Sequence, residues 1–161
     1  MIEIVFEHNG MLDKFIGDGL MAVFGAPTDD DEQEWHAVQA ALEMRTELAR
    51  LRLELAMPEL SIGMGINTGF AVVGNVGSSQ RMEYTAIGRE VNLAARLESF
   101  TRSAGGDIVI SRSTWEAVVS RVVADELPPA LLKGIEGTVQ AYAVRSALPV
   151  GDSTASAAGK T

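Results

Sequence analysis

The stretch Asp13-Lys-Phe-Ile-Gly-Asp-Gly-Leu-Met-Ala-Val-Phe-Gly25 contains two short apolar runs on either side of an Asp-Gly pair. The runs at 14–17 and 20–24 predict two strands, and Asp18-Gly19 predicts the tight turn between them, because such turns favour Gly and tolerate Asp. A carboxylate at a hairpin tip is well placed to hold a hard cation, although turn chemistry alone also accounts for Asp18. This stretch therefore predicts a β-hairpin with a candidate metal ligand at its tip.

The composition indicates a single globular domain and excludes several classes of site. The chain has 161 residues, 47% hydrophobic and 22% charged, and is long enough to bury a sizeable core. A formal net charge of −9 argues against a nucleic-acid-binding surface, since such surfaces are usually basic. The lack of cysteine excludes disulfides, zinc–thiolate sites and thiol nucleophiles. No nucleic-acid partner is therefore expected.

The sequence carries no signal for a membrane or for secretion. No run of about 18 apolar residues occurs, so no segment of this chain is expected to span a membrane. The first residues, Met1-Ile-Glu-Ile-Val-Phe-Glu7, lack the basic start and the cleavage pattern of a signal peptide. We therefore expect a cytoplasmic location, either as a free protein or as the cytosolic part of a larger, membrane-attached one.

Apolar spacing predicts a long helix and a second hairpin after the first. Residues 28–31 supply acidic and N-cap residues for the helix start. The helix runs to about residue 56, and its buried stripe repeats at four and three residues: Ala37, Ala41, Met44, Leu48, Leu51 and Leu55. Strands at 60–66 and 70–74 follow as a hairpin. Because Gly63 and Gly65 leave one strand face flat, we expect a helix, a ligand or a partner subunit to pack there.

The second half of the chain predicts the rest of an α+β domain. In order, the pattern predicts a helix from 89 to about 102 closed by Gly105-Gly106, a strand at 107–110, a short helix at 113–121 capped by Ser113, and a hairpin of 131–135 with 139–144. Mixed strands with helices on one face favour a ferredoxin-like sandwich that lacks its first strand and helix. We place this domain at residues 1–145. Residues 146–161 show no apolar periodicity and are expected to be a disordered tail.

Polar residues within these apolar elements are the candidates for a binding site. Asn92 and Arg96 are four residues apart on the predicted second helix, so both side chains project from one face. An amide there suits a sugar and a guanidinium suits phosphate oxygens, whereas a surface ion pair of Arg96 with Glu98 is the structural alternative. Three more residues admit either a structural or a binding interpretation: Lys14, Thr85 and Lys133.

Four segments together resemble the catalytic domain of class III adenylate/guanylate cyclases. They are Lys14-Phe-Ile-Gly-Asp-Gly-Leu-Met-Ala-Val-Phe-Gly-Ala-Pro27, Gly63-Met-Gly-Ile-Asn-Thr-Gly69, Val73-Gly-Asn-Val-Gly77 and Tyr84-Thr-Ala-Ile-Gly-Arg-Glu-Val-Asn-Leu-Ala-Ala-Arg-Leu97. The motifs agree in order and in spacing, and the resemblance extends over nearly all of residues 2–144. It implies the class III nucleotide cyclase fold.

The resemblance also implies roles for the candidate residues. Asp18 matches the second of the family's two metal-binding aspartates. Lys14 matches the lysine that recognises adenine and Thr85 matches its partner, a pairing that resembles the ATP-selective pattern of bacterial enzymes. Asn92 matches the residue that orients the ribose, and Arg96 matches the one that stabilises charge on the phosphates.

The implied activity is that of an adenylate cyclase. Lys133, in Leu132-Lys-Gly134, resembles the lysine that holds the terminal phosphates of ATP. The ribose 3′-oxygen would attack the α-phosphorus with two divalent cations, Mg²⁺ or Mn²⁺, at the site. The resemblance further implies a head-to-tail homodimer, with Asp18 serving one site and Lys14 with Thr85, Asn92 and Arg96 the other. It also implies an upstream regulatory or sensor domain.

One part of the family pattern is missing from this sequence. The first metal aspartate of the family lies on a first strand resembling Phe-x-Asp-Ile-x-Gly-Phe, whereas only Glu3 and Glu7 precede Asp13 here, in a different context. The chain could be a fragment, a protein begun at an internal Met or a natural degenerate cyclase. The alternative function is a non-catalytic cyclase-like module that binds nucleotide or dimerises. The triplet Gly105-Gly-Asp107 suggests a diguanylate cyclase as a third possibility, but Ile108-Val109 stands where the acidic pair of that family is expected.

Overall fold

The computed structural model describes residues 1–149 of the chain, which form four helices and ten strands. The helices are α1 (Ile2–Glu7), α2 (Gln33–Glu54), α3 (Arg89–Ala104) and α4 (Arg112–Val118). The strands are β1 (Met11–Ile16), β2 (Gly19–Val23), β3 (Met64–Ile66), β4 (Val72–Ser78), β5 (Arg81–Ile87), β6 (Ile108–Ser111), β7 (Val122–Glu126), β8 (Ala130–Leu131), β9 (Thr138–Val139) and β10 (Ala141–Ala147). Among the described helices, none is both long and apolar enough to cross a membrane.

Four of the strands form one mixed sheet in the order β3-β6-β10-β7. β3 runs parallel to β6, whereas β10 is antiparallel to both of its neighbours. The other six strands form the pairs β1–β2, β4–β5 and β8–β9. This mixture confirms the predicted α+β class. Within the described chain, only β6 and β10 have a partner strand on both edges.

The core lies on both faces of the four-stranded sheet. Ile108 and Ile110 of β6 belong to a cluster with residues of α1, α2 and α4, whereas Val109 between them belongs to a second cluster with Leu97 of α3. All four of these side chains are fully buried. Successive side chains of a strand point to opposite faces, so a strand covered on both faces needs apolar residues at every position. Helices therefore cover β6 from both sides.

Helix α2 begins later than the sequence predicts. Its first residue is Gln33 rather than one within 28–31, and no side chain caps its first turn. Asp30 instead accepts the Glu32 amide at 2.9 Å and lies 2.6 Å from His36 Nδ1. The Asp30 carboxylate thus stabilises the turn before the helix, a common alternative use of a capping residue.

The buried face of α2 matches most of the predicted stripe. Its buried residues are Ala37, Val38, Ala40, Ala41, Met44 and Leu48. Leu51 is only half-buried, and Leu55, just beyond the helix, is exposed. The last turn of the predicted stripe therefore adds little to the core.

Helix α3 packs on the flat face that Gly63 and Gly65 leave on β3 and the residue before it. A Cβ atom on Gly65 would lie 2.1 Å from the backbone nitrogen of Glu98 and 2.4 Å from the carbonyl oxygen of Ala94. A Cβ atom on Gly63 would lie 2.2 Å from Thr101 Oγ1. Glycine is needed here because two backbones approach closely. Of the three predicted occupants of this face, the structure places the helix there.

Strand pairing differs from the prediction in two places. The predicted hairpin of 60–66 with 70–74 is wrong, because β3 joins the four-stranded sheet and β4 pairs with β5. The predicted hairpin of 131–135 with 139–144 is confirmed only in part, because β8 pairs with β9 whereas β10 lies between β6 and β7. The sequence pattern also missed β7. A short apolar run predicts a strand but does not identify its partner.

The end of α3, the start of α4 and the end of β10 can each be compared with the boundary that the sequence predicts. Gly105 ends α3 with φ of +69°, the left-handed C-cap that the sequence predicts. The N-cap of α4 is Ser111 rather than Ser113, and its Oγ accepts the backbone amide three residues later at 3.3 Å. β10 continues through Ala147, two residues into the predicted tail, and residues 150–161 of that tail lie outside the described residues.

Candidate functional site

Asp18 lies at the tip of the β1–β2 hairpin. Ile16 pairs with Gly19, so the central residues of the turn are Gly17 and Asp18 rather than the predicted Asp18-Gly19. Gly17 has φ of +62°, a conformation that other residues rarely adopt, so the turn needs its glycine at Gly17, two residues before the predicted Gly19. The tip presents an exposed carboxylate to solvent.

A groove beside Asp18 has both acidic and apolar walls. Its volume is about 830 Å³, and α1, α2 and the hairpin line it. The acidic lining residues besides Asp18 are Glu3, Glu7, Glu43 and Glu47. Within residues 1–149, however, no three His, Asp or Glu side chains are grouped so that they could hold a metal ion. Asp18 is therefore chemically suited to be one ligand of a divalent cation, but the described residues do not supply a complete ligand set.

Lys14 and Thr85 come from separate strands and meet around the carboxylate of Asp13. Thr85 Oγ1 donates to the two oxygens of Asp13, at 2.9 Å and 2.8 Å. The Ala86 amide donates to Asp13 Oδ2 at 2.8 Å, and Lys14 Nζ lies 3.5 Å from Asp13 Oδ1. The Asp13 side chain is fully buried, whereas that of Lys14 is 37% exposed. The structure thus joins two predicted site residues through a third.

A β-bulge in β1 allows this arrangement. Leu12 pairs with Ala22 but Lys14 pairs with Met21, so Asp13 is the extra residue on its strand. Neighbouring side chains on a regular strand point to opposite faces, and a bulge changes the direction of one of them. Asp13 and Lys14 can therefore both reach β5. The sequence pattern gave Asp13 no role, and the available signal was an acidic residue in an apolar strand, where Asp is uncommon.

Glu83 of β5 is a second carboxylate near Lys14. Its Oε2 lies 3.5 Å from Lys14 Nζ, while its Oε1 accepts Arg81 Nε at 3.0 Å. The hydrogen bond from Arg81, with a smaller contribution from Lys14, holds the pKa of the Glu83 carboxyl below its usual range. The Lys14 ammonium is therefore flanked by Asp13 and Glu83.

Asn92 and Arg96 lie one turn apart on the exposed face of α3. Both are exposed, whereas the opposite face of the helix packs on β3 and β6. The structural alternative, a pair of Arg96 with Glu98, is not formed, because Glu98 bonds Arg102 at 3.3 Å. Within residues 1–149, neither the side-chain amide of Asn92 nor the guanidinium of Arg96 has a hydrogen-bonding partner. Both groups are available to a ligand.

Lys133 lies apart from these residues, in the connection between β8 and β9, where it is exposed. The predicted site residues therefore stand in four places: Lys14 with Thr85, Asn92 with Arg96, Asp18 alone and Lys133 alone. Gly88 connects the first pair to the second, since α3 begins directly after β5.

Comparison with protein families gives one match that includes nearly the whole described chain. The family model described as the adenylate and guanylate cyclase catalytic domain matches residues 3–146. Adenylate cyclase 1 of Rhizobium meliloti (strain 1021) is 33% identical over 145 residues, which cover 88% of this chain and 22% of that protein. The chain spans about a fifth of the length of the curated relatives it matches.

Solved structures of two cyclases resemble the whole fold. The adenylyl cyclase CyaB from P. aeruginosa superposes with a TM-score of 0.84 at 36% identity, covering 92% of this chain and 78% of that one. The guanylyl cyclase Cya2 superposes with a TM-score of 0.81 at 34% identity, covering 94% of this chain and 77% of that one. These likenesses confirm the predicted cyclase fold. One of these proteins is an adenylyl cyclase and the other a guanylyl cyclase, so the likenesses do not distinguish the two nucleotides.

Proposed function

Since the chain belongs to the family of adenylate and guanylate cyclase catalytic domains, we propose that it converts ATP to 3′,5′-cyclic AMP and pyrophosphate. The observation that carries the choice of ATP is the meeting of Lys14 and Thr85 around Asp13. This cluster supplies an ammonium group and a hydroxyl group within one small region, as recognition of a purine edge requires.

The chemistry of Lys14 favours adenine over guanine. An ammonium group only donates hydrogen bonds. N1 of adenine is an acceptor, whereas N1 of guanine carries a hydrogen and is a donor. The Lys14 side chain is 37% exposed, so a base can approach it. Lys14 would therefore bind N1 of adenine, and Thr85 would face the exocyclic group at position 6.

Asn92 and Arg96 are proposed to bind the ribose and the phosphates. Their spacing on α3 places an amide and a guanidinium on one exposed face, one turn apart. A guanidinium forms two parallel hydrogen bonds with phosphate oxygens, and an amide can both donate to and accept from a ribose hydroxyl. Lys133, on the β8–β9 connection, would add an ammonium group at the terminal phosphates.

In the proposed reaction, the ribose 3′-oxygen attacks the α-phosphorus and closes the cyclic phosphodiester. The 3′-hydroxyl loses its proton to water, and the bond from the α-phosphorus to the bridging oxygen of pyrophosphate breaks. Negative charge increases on the phosphate oxygens as this happens. The Arg96 guanidinium would donate to those oxygens, which is usually the largest electrostatic contribution to such a reaction.

Asp18 is proposed to hold a divalent cation, Mg²⁺ or Mn²⁺, together with phosphate oxygens of the substrate. A carboxylate is a preferred ligand for such cations, and Asp18 is exposed at the tip of the hairpin. Two cations at one site would need further ligands, and within residues 1–149 no three His, Asp or Glu side chains are grouped so that they could hold a metal ion. A bound cation would supply neutralisation of the triphosphate charge.

We propose a head-to-tail homodimer that shares its two sites. Large apolar side chains are exposed on and beside the β4–β5 hairpin: Phe70, Val72, Met82, Tyr84 and Ile87. So many on one hairpin are typical of an interaction surface. Asp18 borders the groove with α1 and α2, whereas Lys14 faces β5, so the two residues open onto different surfaces. An upstream regulatory domain stays a prediction.

The experiment is product analysis with the purified chain. The chain is incubated with ATP or GTP and Mn²⁺ or Mg²⁺, and the products are separated and identified by mass spectrometry. We expect cyclic AMP and pyrophosphate in equal amounts from ATP. The variant Asp18→Asn should form product about 100-fold more slowly, because the loss of a metal ligand removes several kcal/mol of stabilisation.

Asp29→Asn is the matched control for Asp18→Asn, since Asp29 is exposed in the loop before α2 and its variant should keep the activity. Product from GTP but not from ATP would contradict the proposed substrate. Binding of ATP without any product would favour a non-catalytic cyclase-like module instead.

A further inference from the structure

Asp13 is a buried carboxylate that the proposed reaction does not use directly. Its side chain has no exposed surface, although it lies on a strand of an exposed hairpin. Burial of a carboxylate is costly unless hydrogen-bond donors surround it. Asp13 has two such donors on β5, the Thr85 hydroxyl and the Ala86 amide, and the Lys14 ammonium on β1 lies 3.5 Å from Oδ1 as an ion-pair partner. The bulge places it at the point where the two proposed base-binding residues meet.

The hydrogen bonds around Asp13 determine what Thr85 can offer a ligand. A threonine hydroxyl has one hydrogen to donate and two lone pairs to accept with. Carboxylate oxygens only accept, so Thr85 must give its hydrogen to Asp13, and both distances are short, 2.9 Å and 2.8 Å. Within residues 1–149, no group donates to Thr85 Oγ1. The hydroxyl therefore faces any further partner only as an acceptor.

We propose, on the basis of the ATP-binding function above, that Asp13 is the positioning residue that makes Thr85 select adenine. The exocyclic 6-amino group of adenine is a donor and the 6-oxo group of guanine is an acceptor. An acceptor-only hydroxyl binds the amino group and leaves the oxo group without a partner. Asp13 also lies beside the Lys14 ammonium, so one carboxylate positions both base-binding residues.

A merely structural role for Asp13 has a different consequence. If the carboxylate only ties β1 to β5, its loss weakens the hairpin contact and the binding of all purine nucleotides alike. If it fixes the direction of the Thr85 hydroxyl, its loss changes the ratio of affinities for 6-amino and 6-oxo purines. The ratio is therefore the decisive quantity.

The test is competition binding to the full chain with the variant Asp13→Asn. In this variant the amide oxygen can accept from Ala86, while the amide nitrogen takes the place of Oδ1, which lies 2.9 Å from Thr85 Oγ1. The nitrogen then donates to Thr85, and only the amide oxygen, which lies 2.8 Å from Thr85 Oγ1 and also accepts from Ala86, still competes with a ligand for the hydroxyl hydrogen. ATP, GTP and inosine triphosphate each displace a fluorescent ATP analogue in the presence of Mn²⁺. Inosine triphosphate lacks the 2-amino group of GTP, so its comparison with ATP is confined to positions 1 and 6 of the base, and Thr85→Val below separates the contribution of position 6.

We expect the ratio of inosine triphosphate Kd to ATP Kd to fall about tenfold in Asp13→Asn, as reversal of one hydrogen bond requires. Asp125→Asn is the matched control, because Asp125 lies on β7 at the far edge of the sheet and pairs with Arg145. It should keep the wild-type ratio. Thr85→Val gives a second readout that is independent of whether Asp13→Asn folds, and it should also reduce the preference for ATP.

The competition experiment has three further outcomes, and each of them contradicts part of the proposal. An unchanged ratio in Asp13→Asn, or in Thr85→Val, would show that Asp13 does not set the selection. Equal wild-type binding of ATP and inosine triphosphate would refute the selection while leaving nucleotide binding intact. Failure of the wild-type chain to bind any of the three nucleotides would refute the proposed function, and the role of Asp13 with it.

Discussion

Strand β6 is buried along its whole length, whereas strand β5 is buried only at Thr85 and Ala86. Both strands belong to the same domain, and helix α3 follows one and precedes the other. The side chains of β6 are apolar up to its last residue and have helices on both faces. Those of β5 and its partner β4 are mostly exposed, and several of the exposed ones are large and apolar.

The difference separates the region that stabilises the fold from the region that presents the site. Around β6, apolar burial on both faces supplies free energy of folding, and three of the four side chains of this strand are apolar. Around β5 and the β1–β2 hairpin, by contrast, the fully buried side chain of Asp13 carries charge and belongs to the site itself. Substitutions in the two regions should therefore affect different measurements.

The largest effect on stability is expected for Ile110→Ala. Ile110 is fully buried in β6, and its truncation removes buried methyl groups and leaves a cavity. We expect the free energy of unfolding to fall by about 2–5 kcal/mol in urea titrations followed by tryptophan fluorescence. Val123→Ala, on the exposed side of β7, is the matched control and should change it by less than about 1 kcal/mol. Equal losses in both variants would break the distinction between the regions.

Arg96→Ala should give the opposite result, a large loss of activity without a loss of stability. Arg96 is exposed on α3 and has no hydrogen-bonding partner within the described residues. Removal of a donor that stabilises charge in the transition state should reduce kcat about 100- to 1,000-fold. Arg102→Ala, on the same helix, is the control, since Arg102 forms an exposed ion pair with Glu98 one turn away. A loss of unfolding free energy in Arg96→Ala would show that Arg96 has a structural role.

Gly65→Ala tests the contact that joins the two regions. The new methyl group would lie 2.1 Å from the Glu98 nitrogen, so α3 must move away from β3. We expect a loss of about 1–3 kcal/mol in unfolding free energy, as for an overpacked core, together with reduced activity because α3 carries Asn92 and Arg96. Gly74→Ala on β4, where a Cβ meets no atom within 4 Å, should be close to neutral. Wild-type stability of Gly65→Ala would contradict the close packing.

The smallest effect concerns the loop that connects the first hairpin to α2. The hydrogen bond with His36, followed by that with the Glu32 amide, lowers the pKa of the Asp30 carboxyl below 3.8 in the folded chain. A group with a depressed native pKa stabilises the fold above its unfolded pKa and loses that contribution as the pH falls through the native value. We therefore expect Asp30→Asn to reduce the fall in Tm below about pH 4.

Asp31→Asn is the control for Asp30→Asn, because Asp31 is exposed in the same loop. Thermal unfolding of both variants should be followed from neutral pH to about pH 2. An acid dependence of Tm that is the same in wild type and in Asp30→Asn would show that the Asp30 hydrogen bonds do not contribute to stability.

Local signals in the sequence predict the elements that carry most of the site. The apolar runs around Asp18 predict the first hairpin, and Gly105 predicts the end of α3, because turn and cap requirements depend on a few adjacent residues. Asn92 and Arg96 follow from helical spacing alone. The partners of β3, β4 and β10 were predicted wrongly, since a short apolar run fits several neighbours equally well.

The sequence by itself determined the family, the first hairpin, the two long helices and the residue types of the site, because motif order, apolar periodicity and turn chemistry are properties of neighbouring residues. Only the tertiary structure decided which strands pair, that α3 covers Gly65, and that a bulge directs Asp13 toward Thr85. These depend on contacts between residues far apart in the chain, where packing of one surface against another selects among arrangements that the local pattern allows equally.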